Sequence, residues 1–355
     1  MNKIEIEGYI IGEGCPPFII AEMSGNHNHS LERALSIVES AARAGVQGLK
    51  IQTYNADTMT LNIDEGEFRI EDKNSLWKGN SLYKLYDQAH TPWEWHKPIF
   101  DLARQRGLVA FSTPFDKTSV DFLEDLSVPL YKIASFENTD IPLIRYVAST
   151  GKPMIISTGM ASEEELAETV DEAKAAGCKQ LVLLKCTSAY PSNASQANLA
   201  TIQHMKNKFG CLVGLSDHTL GIGVAVAASA IGAVVVEKHF TLSRADGGVD
   251  SAFSMEPHEM KMLVQECVNA GNAIGAVTYG PTENESGSLV FRRSLYIVKD
   301  MKEGDCFDVS NVRAIRPGYG LSPKYLDVLI GKKVNKDVKK GTAMSWDLLD
   351  KDTDK

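Results

Sequence analysis

The sequence lacks the hallmarks of several protein classes. No apolar run approaches the ~18 residues that a membrane-spanning helix needs, and the N-terminal segment MNKIEIEGYI has no apolar stretch like that of a secretory signal peptide. Acidic residues outnumber basic ones, and the formal net charge of −9 argues against nucleic acid as the main ligand. We therefore expect a cytoplasmic protein that binds neither nucleic acid nor membranes.

Cysteine is sparse and scattered along the chain. None of the six cysteines belongs to a CxxC pair, and their spacing suits neither a disulfide framework nor a zinc knuckle. Hydrophobic residues make up 43% of the 355 residues and charged residues 23%, which is ordinary for a globular protein. This length accommodates one large domain of barrel size together with a small second domain.

Short apolar segments alternate with amphipathic segments eight times along the first three quarters of the chain. Eight βα units of this kind predict an α/β fold, a closed (β/α)₈ TIM barrel. Residues 2–16, which precede the first unit, predict a hairpin that closes the bottom of the barrel. The predicted strands are 18–21, 48–52, 108–112, 130–133, 154–157 and 180–184, followed by the runs CLVGLS and AVVVEKH.

Three of the predicted helices begin with capping signals. Ser30 precedes one helix, and Ser162 with Glu165 forms a capping box at the start of another. Thr91 opens a third box, with Pro92 at the first helical position. Such side chains accept hydrogen bonds from the free N–H groups of a first helical turn, so each of them predicts a helix start.

Polar side chains stand at the ends of the predicted strands, the edge where barrels of this class hold substrates. Lysines within apolar segments are costly unless opposite charges meet them, so we expect Lys50, Lys132 and Lys185 to face a pocket. With neighbouring hydroxyls, these ammonium groups predict a site for a small dianion such as a phosphate ester. The strand ends supply Glu22, Lys50, Gln52, Ser112, Thr113, Lys132, Ser135, Ser157, Lys185, Ser188, Ser216, Asp217, His218, Glu237 and His239.

Two histidines follow the last two predicted strands. His218 and His239 belong to a strand–helix–strand unit whose parallel strands end at the same edge, so both imidazoles come within reach of one metal ion. Ser216, Asp217 and Glu237 are predicted to share that rim. The alternative for either histidine is a polar residue at a strand end with no role. Two imidazoles with open positions suit a Mn²⁺-like ion or Zn²⁺, whose expected role is to polarise a carbonyl.

Two acidic residues, Glu22 and Glu237, are candidates for proton transfer at this rim. An anion site beside a polarised carbonyl suggests carbon–carbon bond formation between a phosphorylated enol and an aldehyde. The residue types leave two other classes open. One is a Schiff-base aldolase, in which Lys132 or Lys185 forms the imine. The other is a protein that binds a phosphosugar without converting it.

The connection after the second predicted strand, residues 53–90, is far longer than an ordinary βα loop. Aromatic residues are concentrated there, and three of the four tryptophans lie between positions 77 and 95. So much ring surface predicts a lid or a wall for the substrate. A packed surface excursion is the alternative.

The composition changes beyond residue 279, so the barrel domain is assigned to residues 1–279. Residues 280–288 have the composition of a linker. Residues 289–350 alternate strand-like runs with glycine-rich turns, which predicts a small β-rich domain. Its arginines at positions 292, 293, 313 and 316 suit bidentate contacts with phosphate or carboxylate, with surface charge as the alternative.

Nine motifs resemble those of the sialic acid synthase family. They are IIAEMSGNHNHS, LKIQTY, FSTPFD, YKIAS, PMIISTGM, GLSDHT, VVVEKHFTL, DGGVDSAFSMEP and RPGYGLSP, and the resemblance covers residues 17–349. It implies a phosphoenolpyruvate-condensing TIM barrel joined to an antifreeze-like (SAF) domain. It also implies a transferase that condenses phosphoenolpyruvate with an amino-sugar aldehyde and releases phosphate by C–O cleavage.

The same resemblance assigns roles to individual residues. His218 and His239 are expected to bind a divalent metal, foremost Mn²⁺ with Mg²⁺ or Co²⁺ as alternatives, and Glu22 and Glu237 to serve the proton and water steps. Arg316 is expected to reach the partner's active site in a domain-swapped homodimer. Phosphoenolpyruvate is expected to contact Lys50, Thr113, Lys132, Ser135, Ser157, Ser188 and Ser216, and the sugar Gln52, Tyr190 and Asp250.

Within the family, the stretch WKGNSLYKLYDQAHTPWEWH is similar to the pseudaminic acid synthase branch, whose acceptor is the 6-deoxy sugar 2,4-diacetamido-2,4,6-trideoxy-L-altrose. A deoxy methyl group and acetamido methyl groups suit an aromatic wall better than a polyhydroxyl tail does. N-acetylneuraminate synthase and legionaminate synthase are the alternatives. Ser188 departs from the family pattern, because many neuraminate synthases carry Asn there.

Overall fold

The computed structural model describes residues 3–72 and 76–350. The chain divides into two units, Met1–Gly275 and Ala276–Lys355, and each is described by itself. Residues 1 and 2 of the predicted barrel domain and residues 73–75 of the predicted lid lie outside the described part of the chain. The domain boundaries predicted from composition, at 279 and 289, stay predictions.

Within the described residues, the first unit is a closed barrel of eight parallel strands, which confirms the predicted (β/α)₈ architecture. The strands lie in chain order around the barrel, and the last of them pairs with the first. A hairpin of β1 (Lys3–Ile6) and β2 (Tyr9–Gly12) precedes them. The barrel strands are β3 (Phe18–Glu22), β4 (Gly48–Thr53), β5 (Val109–Pro114), β6 (Tyr131–Ile133), β7 (Met154–Ser157), β8 (Leu181–Cys186), β9 (Leu212–Ser216) and β10 (Val235–His239).

Helices wrap the barrel, and most of them carry an apolar stripe that packs onto the outer face of the strands. The helices of this unit are α1 (Leu31–Ala44), α2 (Ala56–Met59), α3 (Leu82–Ala89), α4 (Trp93–Gln105), α5 (Lys117–Asp125), α6 (Ile141–Ser149), α7 (Glu163–Ala175), α8 (Ala200–Phe209), α9 (Gly223–Ala230) and α10 (Pro257–Ile274). Helices α2 and α3 lie in the long connection after β4, and each of the others follows one strand.

The side chains of the barrel strands alternate between two apolar environments. Every second residue points outward into the layer between strands and helices, and the residues between them fill the barrel interior. At the bottom, Phe18 and Phe111 pack with Ile4, Ile6 and Ile11 of the hairpin, which therefore closes the barrel as predicted. The opposite end, where the strands finish, is the mouth.

Two of the predicted helix caps are present. Ser30 accepts a hydrogen bond from the Arg33 N–H at the start of α1. Ser162 and Glu165 form the predicted reciprocal capping box at the start of α7. These caps satisfy N–H groups that lack partners within the helix, and they therefore determine where α1 and α7 begin.

The capping box predicted at Thr91 is wrong. Pro92 is itself the N-cap, and α4 begins at Trp93 without a side-chain cap. The Thr91 hydroxyl is buried and lies 3.3 Å from His27 Nε2, so it serves a histidine in the core rather than the helix. Because His27 is distant in sequence, no local pattern reveals this partner.

The second unit contains a small antiparallel sheet, as its strand-like runs predicted. β11 (Ser294–Ile297) pairs with β12 (Val312–Ile315), and helix α11 (Leu326–Leu329) follows. The unit has its own apolar core, which includes Leu295 and Phe307. In the described part of either unit, no helix combines the length and the apolar character needed to cross a bilayer.

Candidate active site

The mouth of the barrel gathers most of the polar residues predicted at the strand ends. Ile20 lies in the interior cluster, and Glu22, two positions further along β3, therefore faces the mouth. The same alternation applies around the barrel. The side chains that meet at the mouth are Glu22, Lys50, Gln52, Thr113, Lys132, Ser157, Ser216, Glu237 and His239.

Two lysines and two carboxyl groups form a buried charge cluster at the centre of the mouth. Lys50 Nζ lies 3.0 Å from Glu22 Oε2 and 3.6 Å from Glu237 Oε1. Lys132 Nζ lies 3.6 Å from the same Glu237 oxygen. Lys50 also donates a hydrogen bond to Thr113 Oγ1 at 3.3 Å. Each of the four charged side chains is at most 5% exposed, so the charges interact far more strongly than they would in water.

This cluster separates the pKa values of its two carboxyl groups. Burial, opposed in part by Lys50 and supported by Glu237, raises the pKa of Glu22 to about 7. Burial alone would also raise the pKa of Glu237, but the Lys132 and Lys50 ammonium groups outweigh it and hold that pKa below its ordinary value. One carboxyl group can therefore carry a proton near neutral pH beside another that stays ionised. Such separation assigns an acid and a base within one site.

Hydroxyl groups lie beside the two lysines. Lys132 Nζ donates a hydrogen bond to Ser157 Oγ at 2.7 Å. Ser216 Oγ donates to Glu237 Oε1 at 3.4 Å. Ammonium and hydroxyl donors around one opening are the groups that bind phosphate and carboxylate oxygens.

A glycine keeps a small space open between two more of the predicted hydroxyls. The Gly159 N–H donates to Ser135 Oγ at 3.2 Å. A Cβ on Gly159 would overlap Ser188 Oγ and lie 2.7 Å from Ser135 Oγ. Any side chain at position 159 would therefore push these two serines out of place.

The two predicted metal ligands lie side by side, with 5.3 Å between the ring centroids of His218 and His239. A carbonyl oxygen can only accept, so the 2.9 Å contact between His218 Nδ1 and Thr187 O is a bond donated by the ring. In the neutral ring, Nε2 is then the nitrogen with the lone pair, as in histidines that bind metals. His239 Nδ1 is buried without a hydrogen-bond partner among the described residues. Burial, reinforced by nearby cationic groups, keeps the pKa of His239 well below the ordinary value.

These observations fit a divalent cation held by few protein ligands. A neutral imidazole, as at His239, is the form that binds metals. Residues 3–72 and 76–350 contain no group of three or more His, Cys, Asp and Glu side chains arranged to hold a metal ion. The two histidines would therefore leave several positions open to water or substrate. The metal itself stays a prediction.

A cavity of about 470 Å³ opens at the mouth. Residues of the predicted lid form much of its wall, and Trp77 Nε1 donates to Val249 O at 2.9 Å, which ties the lid segment to the loop after β10. The segment is therefore a wall in this structure, and its movement stays a prediction. The cavity is lined by Ser24, Gln52, Tyr54, Met59, Ile70, Trp77, Leu82, Leu85, Tyr86, Ala89, Phe115, Ala134, Ser135, Phe136, Glu137, Ser188, Tyr190, His239, Val249 and Asp250.

The predicted sugar contacts all reach this cavity. Gln52 Nε2 donates to Glu22 Oε1 at 3.1 Å, and Asp250 accepts a hydrogen bond from Ser24 Oγ. The ring centroid of Tyr190 lies 4.4 Å from that of His218 and 6.1 Å from that of Trp77, between the histidines and the aromatic wall. Arg316 belongs to the second unit, directly after β12. Its role at a partner's site stays a prediction.

Three residues predicted at the mouth face away from it. Ser112 Oγ lies 2.6 Å from Thr53 Oγ1 behind the strands, and Lys185 donates at 2.8 Å to the carbonyl of the next residue along β8. Asp217 forms an ion pair with Lys238 on the outer side of the barrel. These three predictions are wrong for one reason. Each residue is next to an inward-facing one, and successive side chains of a strand point to opposite faces.

Two groups at the mouth have no counterpart among the predicted site residues. Cys186 Sγ lies 3.9 Å from His218 Nδ1, and its place two positions after the inward-facing Leu184 could have revealed it. Glu137 lines the cavity, and burial raises its pKa to about 7. Its Oε2 is buried without a hydrogen-bond partner in the described part of the chain. It lies in a 3₁₀ turn after β6, where strand alternation gives no signal.

Comparison with known proteins identifies the family. A model of the NeuB family matches residues 37–279, and a model of the SAF domain matches residues 292–350. The chain belongs to the NeuB family. A pseudaminic acid synthase of Campylobacter jejuni is 45% identical to it over 92% of this chain and 95% of the relative. A pseudaminic acid synthase of Helicobacter pylori is 39% identical over 95% of this chain and 98% of the relative.

Among solved structures, this NeuB-family chain is similar to an N-acetylneuraminic acid (sialic acid) synthetase from Leptospira borgpetersenii in complex with citrate. It is 31% identical, with a TM-score of 0.71, and the match covers 81% of this chain and 95% of that one. The resemblance predicted from the motifs, a sialic acid synthase-type barrel followed by an SAF domain, is confirmed by these matches.

Proposed function

We propose that this NeuB-family chain is an enzyme that condenses phosphoenolpyruvate with 2,4-diacetamido-2,4,6-trideoxy-L-altrose, giving the nonulosonic acid pseudaminic acid and inorganic phosphate. The pseudaminic acid synthases that resemble it over most of its length support this acceptor. One observation carries the proposal: buried lysines, two carboxyl groups with separated pKa values and two adjacent imidazoles meet at one barrel mouth, and His239 of this group lines the cavity with the aromatic wall.

Phosphoenolpyruvate binds at the lysine side of the mouth. Lys50 and Lys132 are buried, so a dianion there meets positive charge that water does not screen. The surrounding hydroxyls donate to the remaining phosphate and carboxylate oxygens. The residues assigned to this substrate are Lys50, Thr113, Lys132, Ser135, Ser157, Ser188 and Ser216.

The reaction forms one carbon–carbon bond and breaks one carbon–oxygen bond. C3 of the enol attacks the aldehyde carbon, and the aldehyde oxygen takes a proton from Glu22, whose pKa of about 7 keeps a proton available. Water then adds to C2 and gives a proton to the ionised Glu237. C2 finally becomes a ketone, and the electron pair of its bond to the phosphate oxygen leaves with the phosphate, which also takes the hydroxyl proton.

His218 and His239 hold a divalent cation in this proposal, with Mn²⁺ as the first choice and Mg²⁺ or Co²⁺ as alternatives. When bound, the cation supplies Lewis-acid polarisation of the acceptor's aldehyde. The bond from His218 Nδ1 to Thr187 O orients one ring for this role. Replacing either histidine by alanine is expected to lower turnover by orders of magnitude while the fold remains intact.

The acceptor sugar occupies the cavity between the histidines and the segment 53–90. Gln52, Tyr190 and Asp250 provide its polar contacts, and Trp77 and Tyr86 face its methyl groups. A sugar with a 6-deoxy carbon and two acetamido groups presents more apolar surface than a mannosamine does, so it gains more from this wall.

The active assembly is a domain-swapped homodimer in which Arg316 serves the partner's site. Mixing two inactive variants tests this directly: Arg316→Ala, which damages the SAF domain's contribution, and His218→Ala, which damages the barrel. In a swapped dimer of the two, one site combines an intact barrel with an intact SAF domain. Recovery of activity after subunit exchange is expected, and no recovery contradicts the swap.

The experiment that tests the function is phosphate release from phosphoenolpyruvate with a panel of acceptors. The altrose-type sugar is expected to give the highest kcat/KM, and a chelator is expected to abolish it. A higher kcat/KM with N-acetylmannosamine or with the legionaminate precursor would instead identify one of the two sister activities.

The same assay separates the other classes of protein. A Schiff-base aldolase would keep its activity in chelator, and borohydride with pyruvate would trap an adduct at Lys132. A protein that only binds phosphosugars would show tight binding without phosphate release for any acceptor. Either outcome would overturn the condensation.

A further inference from the structure

A buried ion pair lies directly behind the two histidines, on the outer side of the barrel. Lys238 Nζ is 2.8 Å from Asp217 Oδ2, and both side chains are at most 2% exposed. The ammonium group also donates to Thr219 O at 2.7 Å and to Gly221 O at 3.0 Å. An ammonium group has three N–H donors, so every donor of Lys238 is used on the loop after β9.

Each member of the pair is next in sequence to residues whose side chains face the mouth. Lys238 stands between Glu237 and His239 on β10, and Asp217 stands next to His218. Asp217 Oδ1 accepts a further bond from the Thr219 N–H at 2.9 Å, and the Asp217 N–H donates to Glu237 O at 2.9 Å. The pair therefore connects the loop that carries His218 to the strand that carries His239.

Stability alone explains this arrangement poorly. Buried ion pairs are often no more stabilising than apolar residues of the same volume, because both charges lose their hydration. An apolar side chain at position 238 could not donate to the carbonyls of Thr219 and Gly221. Gly221 has φ +74°, so this loop takes a backbone conformation that few other residues adopt. The lysine holds that conformation, and the position of His218 follows from it.

We propose that Lys238 and Asp217 are positioning residues that set the placement of His218 relative to His239 and thereby the affinity of the site for its divalent cation. This inference rests on the proposed function, in which the two histidines hold that cation. Neither residue touches the substrate pocket, since both point outward. Their effect should therefore appear in cation binding and not in the binding of phosphoenolpyruvate at Lys50 and Lys132.

The test is Mn²⁺ binding to the full-length protein, measured from the electron paramagnetic resonance signal of free Mn²⁺. The double variant Asp217→Asn/Lys238→Met removes both charges together, so no unpaired buried charge remains. Its Kd for Mn²⁺ is expected to rise by about 10- to 100-fold, the usual effect of losing groups that orient metal ligands. Its affinity for phosphoenolpyruvate in the presence of EDTA is expected to stay unchanged.

A control is the double variant Glu124→Gln/Lys152→Met, which removes a partly exposed ion pair of 2.6 Å from the opposite end of the barrel. It is expected to bind Mn²⁺ like the wild type. Should thermal unfolding show that the first double variant is not folded, Asp217→Glu replaces it. That variant keeps both charges and displaces the carboxylate by one methylene, and a weaker affinity for Mn²⁺ is again expected.

The outcomes distinguish this inference from the proposed function. Wild-type affinity for Mn²⁺ in a folded Asp217→Asn/Lys238→Met variant, with binding lost in His218→Ala, would overturn the positioning role and leave the function intact. Wild-type protein that binds no Mn²⁺ would remove the cation from the proposed function and the positioning role with it. An equal loss of Mn²⁺ affinity in the Glu124/Lys152 control would also overturn the inference, because the effect would then be general.

Discussion

Replacing Lys50 by methionine should lower the free energy of unfolding by more than the loss of an exposed ion pair does. The Lys50 ammonium group is the neighbour of both Glu22 and Glu237, at 3.0 and 3.6 Å, in a site that excludes water. Removing one partner of a buried ion pair costs about 3–5 kcal/mol, since the remaining charge stays buried without compensation. We expect a loss of that size in the free energy of unfolding at pH 8, measured with guanidinium chloride.

The same substitution should weaken phosphoenolpyruvate binding. A hydrogen bond to a charged group contributes about 1.5–3 kcal/mol, so the Kd measured by calorimetry should rise by roughly 10- to 150-fold. Lys97→Met is the matched control, because Lys97 pairs with Asp101 at 2.6 Å but is 72% exposed. It should cost less than about 1 kcal/mol. A Lys50→Met variant that is as stable as Lys97→Met and binds phosphoenolpyruvate normally would refute the reasoning.

Three further predictions concern single residues. Burial raises the pKa of Glu137 from 4.5 to about 7, so this group's contribution to stability is complete below pH 4.5 and is lost as the pH rises through 7, about 3 kcal/mol in all. Glu137→Gln should remove that part of the pH dependence of unfolding, and parallel curves for the two proteins would contradict it. Gly159→Ala should raise the KM for phosphoenolpyruvate in a folded protein, because its Cβ displaces Ser135 and Ser188; an unchanged KM would oppose this. Ser162→Ala should lower stability by about 1 kcal/mol and leave turnover unchanged, and a variant as stable as the wild type would show that this cap contributes nothing.

Much of the fold could be predicted because its signals are local. Strand β7 has the predicted bounds, since Pro153 and Gly159 flank its apolar run. Ser30 and Ser162 cap helices within their own first turn. Thr91 has the same type of side chain but bonds to His27, which is far away along the chain. A local pattern cannot show such a partner.

The orientation of individual side chains, toward the barrel interior or outward, was harder to predict than the positions of the strands. The strand β8 extends two residues further than expected, to Cys186, and the alternation then turns Cys186 inward and Lys185 outward. An error of one position reverses the face of a side chain. Lys238 shows a second limit of prediction from residue type. It makes all its hydrogen bonds on the outer side of the barrel strands. As a residue type within an apolar run it is the same as Lys50 and Lys132, which face the mouth.

The central proposal is that the mouth joins the enol carbon of phosphoenolpyruvate to an amino-sugar aldehyde, with C–O cleavage of the phosphoenolpyruvate. Phosphoenolpyruvate labelled with ¹⁸O at the bridging oxygen, incubated with the altrose-type acceptor and Mn²⁺, tests it in one mass-spectrometric measurement of both products. The predicted result is a nonulosonic acid without label and an equal amount of labelled inorganic phosphate. Label retained in the sugar acid, or phosphate release without any condensation product, would contradict it.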